Sequence, residues 1–126
     1  MDSDTQDIIR CYLDDQGIIQ VSFIGKISGD IFYDAAKCIG KLADDQRKNG
    51  RRVLICEDIE EAKYEKANIF KIREKYKIFL SFNADKMVII GGNSWAISVL
   101  RLLMTLDNKF RLFGDRVSAE AWLLKQ

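Results

Sequence analysis

The chain has 126 residues, a length at which one core buries roughly two thirds of the surface that the unfolded form exposes. With 48% hydrophobic residues, 31% charged residues and a formal net charge of +1, its composition excludes a disordered chain and supplies no electrostatic drive toward nucleic acid. Histidine is absent, which removes the commonest general base, metal ligand and activator of a serine or cysteine nucleophile, so no enzyme activity, cofactor or metal is expected.

The opening "MDSDTQD" is acidic and lacks the basic start, apolar run and small-residue cleavage site of a secretory signal, which predicts a cytoplasmic protein. In "DIIRCYLD", Ile9, Cys11 and Leu13 alternate with Arg10 and Tyr12, "DQG" turns the chain with Gly17 at positive φ, and "IIQVSFIG" returns as the second arm of a hairpin. From Ser28 a helix is predicted, with Phe32, Ala35, Ala36, Ile39, Leu42 and Ala43 on one face, Ser28 or Asp30 as N-cap and Gly50 as the left-handed stop. "RRVLIC" is too short and too apolar for an amphipathic helix and reads as a strand buried on both faces. The acidic "EDIEEAKYE" reads as the loop that follows it.

A second helix over 66–80 places Ile69, Ile72, Tyr76, Phe79 and Leu80 at three- and four-residue steps. "KMVII" is a strand, 94–107 a third helix, "KFRLF" an outer strand, and "VSAEAWLLKQ" a final helix capped by Ser118. The order ββαβαβαβα predicts an α/β domain over 1–126, with a mixed, largely parallel five-stranded sheet covered by helices. Cys11, Cys38 and Cys56 form an odd, widely spaced set that matches neither a disulfide framework nor a CxxC pair, and buried free thiols are expected.

This order, together with "KMVIIGGNSW" and "FRLFGDRVSAEAWL", resembles the STAS superfamily, specifically its SpoIIAA-like branch. The positions that carry the resemblance are Gly91, Gly92 and Trp95, then Phe113, Asp115, Ala121, Trp122 and Leu123. The resemblance implies a regulatory domain that engages a protein partner. Its well-studied members switch through an Asp-Ser-Ser/Thr-Gly motif after the third strand, where this chain has Glu57, Asp58, Ile59 and Glu60. Serine and threonine are both missing between Ser28 and Ser81, so no phosphoacceptor is carried over.

Asp14, Asp15, Asp58 and Ser94 superficially match the strand-end residues of a phosphoryl-accepting receiver domain. The spacing opposes that reading: only Gln16 and Gly17 separate Asp15 from the next strand, which makes the first acids turn formers at the far end of the sheet from Asp58. Glu57, Asp58, Glu60 and Glu61 precede Lys63, Lys66, Lys71, Arg73, Lys75 and Lys77, an order that suits a solvated helix and its dipole, with a docking surface for an acidic partner as the alternative.

"GGNSWAISVLRLLMTL" is neither GxGxxG nor GxxxxGK[ST], and its apolar run falls short of a membrane span. It is nonetheless apolar on more than one face, which needs cover from a neighbouring helix, a second copy, an apolar ligand or a membrane surface. The expected ligand- or partner-binding residues are Gly92, Asn93, Ser94 and Trp95, with Lys71 and Lys75 meeting an acidic head group if the occupant is a lipid. The expected homodimer interface comprises Ile97, Arg101, Leu102 and Met104. The STAS fold is also compared with the lipid-binding CRAL-TRIO fold, which keeps a lipid or other apolar ligand as the alternative to a protein partner.

Overall fold

A computed structural model of the chain describes residues 9–27, 29–64, 74, 77–91 and 108–125. Strand β1 (Ile9–Leu13) pairs antiparallel with β2 (Ile18–Ile27), from Ile9 opposite Phe23 to Leu13 opposite Ile19. Asp14 builds the intervening turn: its Oδ1 accepts from the backbone N–H groups of Gln16 and Ile18, each at 2.9 Å, and Gly17 takes φ +84°. The turn-forming role expected for this aspartate is therefore borne out.

Helix α1 (Gly29–Lys48) buries Phe32, Ala35, Ile39 and Ala43, with Ala36 and Leu42 partly covered, the face that its periodicity predicts. Gly50 follows at φ +68°. Of the two N-caps expected, Asp30 lies inside the first turn, where a carboxylate favours the positive end of the helix dipole, and Ser28 is outside the described residues.

Strands β3 (Leu54–Tyr64), β4 (Lys86–Ile90) and β5 (Phe110–Phe113) complete a sheet of order β1-β2-β3-β4-β5, in which every pair after the first is parallel. The segment expected as an acidic loop is strand. β2 is long enough to keep offering ladder partners, so Ile24, Gly25 and Lys26 pair with Glu61, Ala62 and Lys63 beyond an irregularity between Ser22 and Ile24. Alternation persists through the acids: Glu57 and Ile59 are buried, while Asp58 is only partly covered and Glu60 is exposed.

The sheet separates two apolar layers. On one face Ile19, Val21, Phe23, Ile55, Ile59, Met87 and Ile89 meet α1 together with Phe79 and Phe82. On the other, Ile18, Leu54, Cys56, Val88 and Ile90 meet Ala119 and Leu123 of helix α2 (Arg116–Leu124). Residues 77–81 are helical, but Leu80 is 46% exposed whereas Phe79 is 1% exposed, so the buried face runs through Phe79 to Phe82 and not through Leu80 as its spacing suggested. Ser118 is not the cap of the last helix: Asp115 is, its carboxylate accepting from the Ser118 backbone N–H at 2.8 Å and from the Ser118 hydroxyl at 3.0 Å. The remainder of the second expected helix and all of the third fall outside the described residues.

Gly91 ends β4 at φ +90°, and a Cβ placed on it would lie 2.5 Å from Glu60 Cγ and 3.0 Å from Glu60 Cα. Gly40, inside α1, has no atom within 4 Å of the same position. Gly91→Ala is expected to lower the unfolding free energy by about 1–3 kcal/mol, through positive-φ strain and contact with the β3 backbone. Gly40→Ala is expected to raise it by up to about 1 kcal/mol. Urea denaturation of the two variants beside the parent checks the opposed signs.

Candidate functional site

Strand alternation sends Gln20 and Cys56, opposite one another on β2 and β3, toward the α2 face, and Asp58 follows two residues on. Helix α2 lays Arg116 and Glu120, one turn apart, over them. The Arg116 guanidinium donates to Gln20 Oε1 at 2.5 Å and to Asp58 Oδ2 at 2.8 Å, approaches Cys56 Sγ at 3.8 Å, and lies 3.5 Å from Glu120. Gln20, only 4% exposed, donates through Nε2 to Glu120 at 2.9 Å and to Asp14 Oδ2 at 3.0 Å. Asp14 and Asp58 are thus not at opposite ends of the sheet. Asp58 stands midway along β3, and the Gln20–Arg116 relay joins the two acids in one network.

Electrostatics favours this network as a fixed brace. Burial pushes the Cys56 thiol up to about 12 against the lowering effect of Arg116, and Glu120, Asp58 and Asp14 push it further the same way. It is therefore a neutral thiol at physiological pH, without the thiolate that nucleophilic chemistry requires. Burial tends to lower the Arg116 pKa, but Cys56, ionised only at the high pH where an arginine titrates, and the carboxylates of Asp58 and Glu120 outweigh it, so the guanidinium is held cationic beyond its ordinary range. Among the described residues, no cluster of cysteine and carboxylate side chains has the makings of a metal site.

The opposite end of α2 carries positive charge. Lys86, at the start of β4, donates to the carbonyls of Trp122 at 2.8 Å and Lys125 at 2.5 Å, closing the helix C-terminus, and its Nζ stands 4.7 Å from the Trp122 ring centroid. Arg111 on β5 lies 5.2 Å from the same ring, which also packs against Phe113 with centroids 6.1 Å apart. Partial burial pushes the Lys86 pKa down, and the positive charges of Arg52, Lys125 and Arg111 push it further. Lys86 meets the needs of the helix end. Arg52, Arg111 and Lys125 are exposed and make no ion pair among the described residues, so they add repulsion that the fold does not require.

None of the residues expected at the site can be placed against these two clusters. Gly92, Asn93, Ser94, Trp95, Lys71, Lys75, Ile97, Arg101, Leu102 and Met104 all lie outside the described residues. Sequence reasoning missed Arg116, Gln20 and the cations around Trp122. The available signals were a glutamine inside an apolar strand, which needs a buried partner, and basic residues within and beside the two final strands.

No family model matches the chain, and no curated protein matches it. Among solved structures, an uncharacterised protein of the DUF3478 family with a SpoIIAA-like fold from Shewanella loihica PV-4 superposes with a TM-score of 0.58 at 16% identity, covering 91% of each chain. The anti-sigma factor antagonist SpoIIAA in its unphosphorylated form superposes with a TM-score of 0.52 at 6% identity, covering 90% of this chain and 94% of its own. The fold is SpoIIAA-like, as the sequence resemblance implied.

Arg116→Met removes the cation that joins Gln20, Asp58 and Glu120, and is expected to lower stability by about 1–2 kcal/mol, discounted for the solvent that screens the partly exposed pair. Adding Asp58→Asn should recover part of that loss, because the unpaired carboxylate is then gone. Chemical denaturation of the two single variants and the double variant measures the coupling. At the N-terminus of α2, the Ser118 backbone N–H and hydroxyl hold the Asp115 carboxyl below its ordinary value of 3.8. Its contribution is therefore complete above the unfolded-state pKa and lost as pH falls through the folded one. Asp115→Asn should flatten the acid limb of the stability profile, measured by thermal melts from pH 7 downward.

Proposed function

We propose that the domain is a non-enzymatic regulatory module that binds an acidic segment of a protein partner. The observation that carries this reading is the cationic patch at the C-terminal end of α2, where Lys86 and Arg111 stand over the Trp122 ring and exposed Arg52 and Lys125 lie near enough to act on Lys86. Retained like charges gain interaction energy only when an anion arrives, and an aromatic centre with arginine at its margin has the composition of a binding hot spot. The SpoIIAA-like fold supports the reading at a coarser level, since the named member of known role antagonises a protein factor. The brace around Arg116 supports it as well, because its polar groups are spent on one another.

Two further parts of the proposal rest on the sequence. Self-association uses Ile97, Arg101, Leu102 and Met104, and Leu102→Glu should turn a homodimer into a folded monomer by light scattering and circular dichroism. The other part is a cytoplasmic location; separately, among the described residues no helix is long and apolar enough to cross a membrane.

A second reading, binding of a lipid or other apolar ligand, draws on a groove of about 350 Å³ between α1 and residues 78–82. Tyr33, Ala36, Gly40, Ile78 and Phe82 supply its apolar lining, and Lys37 and Arg47 stand at its polar margin. Native mass spectrometry that finds a co-purified lipid would favour this reading over the first.

The docking surface is tested with a glutamate-rich synthetic peptide, followed by Trp122 emission in a Trp95→Phe background. Binding should be saturable, should weaken as salt rises, and should fall by roughly tenfold or more in Arg111→Glu/Lys125→Glu. Equal binding by the double variant would remove the surface from the proposal. A response to anionic phospholipid vesicles, with none to the peptide, would overturn the acidic protein partner and pass the surface to the lipid reading.

A further inference from the structure

Cys11 and Cys38 are distant in sequence but share one face of the sheet. Cys11 lies on the edge strand β1, paired with Val21, and packs toward α1 beside the main core. Cys38, on α1, donates through its thiol to the Cys11 carbonyl oxygen at 3.7 Å. That contact holds Cys38 Sγ within about 6 Å of the Cys11 Cα. Burial, together with the neighbouring Cys38 side chain, raises the Cys11 pKa. Both cysteines are free and partly exposed, which departs from the buried thiols expected from the sequence, whereas Cys56 is fully covered beneath α2.

We propose that Cys11 and Cys38 form a dithiol modification site that a peroxide closes to an intramolecular disulfide, tying edge strand β1 to α1. Burial and the adjacent Cys38 raise the Cys11 pKa and disfavour its thiolate, and the first attack is assigned to Cys38. Its thiolate attacks one peroxide oxygen, the O–O bond breaks, and Cys38 becomes a sulfenic acid as the departing hydroxide takes up the thiol proton as water. The Cys11 sulfur then displaces hydroxide from the Cys38 sulfur, the S–S bond forms, and the Cys11 proton leaves with that hydroxide as a second water. Two thiols and one hydrogen peroxide thus yield one disulfide and two waters.

Cys56 stands outside this reaction. It lies on the opposite face, and its thiol is pushed up to about 12. The site also has a mechanical consequence. β1 is the antiparallel edge of the sheet, and its outward side has no ladder partner among the described residues. A bond to α1 shortens the loop available to the unfolded chain and restrains that edge.

The experiment treats the native protein with hydrogen peroxide, quenches, unfolds, and counts free thiols by maleimide mass tagging and peptide mapping. The expected product has lost two hydrogens, joins the Cys11 and Cys38 peptides, carries a single maleimide on Cys56, and returns to three free thiols under dithiothreitol. Its melting temperature should rise by several degrees. In Cys11→Ser, dimedone should trap a sulfenic acid on Cys38, and the thermal shift should disappear. Oxidation that gives only intermolecular dimers, that stops at sulfinic acid with both cysteines unlinked, or that consumes Cys56 as readily as the other two would overturn the proposal. The wild-type map decides without the variant, so a poorly folded Cys11→Ser leaves the test intact.

Discussion

Everything described in this fold depends on β3 being hydrogen-bonded on both edges and covered on both faces. Its first residues pair with β2 on one side and β4 on the other, and Leu54, Ile55 and Cys56 are all buried. A strand in that position cannot shift by one residue, because the shift would exchange the two faces and send Asp58 into the layer that α1 covers. The register then fixes what each layer contains. Ile55 and Ile59 belong to the α1 side, and Cys56 and Asp58 to the α2 side.

That constraint explains how a polar network persists beside an apolar layer. Gln20 is buried, and a buried amide without partners is destabilising by an amount comparable to several exposed contacts. Its oxygen and nitrogen are instead engaged by Arg116, Asp14 and Glu120. The network spans the hairpin turn, β2, β3 and α2, so it specifies where the last helix lies along the sheet. Apolar contacts through Ala119 and Leu123 supply attraction, yet two such side chains tolerate sliding. The bonds that Gln20 both donates and accepts, and those that Arg116 donates, do not.

The hairpin, the buried face of α1 and the core strands were legible in the sequence, because each depends on local periodicity or on a turn that one residue builds. The acidic run was not. Strand length there is set by how far β2 continues beside it, information that lies outside the segment, and the charges of Glu57, Asp58, Glu60 and Glu61 mask the alternation of Ile59 with exposed Glu60. The cap of α2 was misassigned within three residues for a related reason: Asp115 and Ser118 both have capping chemistry, and only the backbone decides which stands outside the helix. Arg116 and its partners were illegible because they gather residues from four elements. The site residues named from the sequence are Lys71, Lys75 and positions within 92–104, all outside what the structure describes, so the two sets of positions complement one another without being compared.

A net charge of +1 conceals an uneven distribution along α2. At its N-terminal end one arginine faces Asp58 and Glu120, with Asp14 one hydrogen bond further away, so the cation is outnumbered and internally engaged. At its C-terminal end the balance reverses, with Lys86 and Arg111 against one tryptophan and the charges of Arg52 and Lys125 acting on Lys86. A helix dipole accounts for one cation at that end and for Asp115 at the other. It does not account for three exposed cations more, since each successive charge repels those already present and lowers the Lys86 pKa further. Total charge therefore carries little functional information in this chain. The information lies in which charges the fold has already satisfied and which it leaves facing solvent.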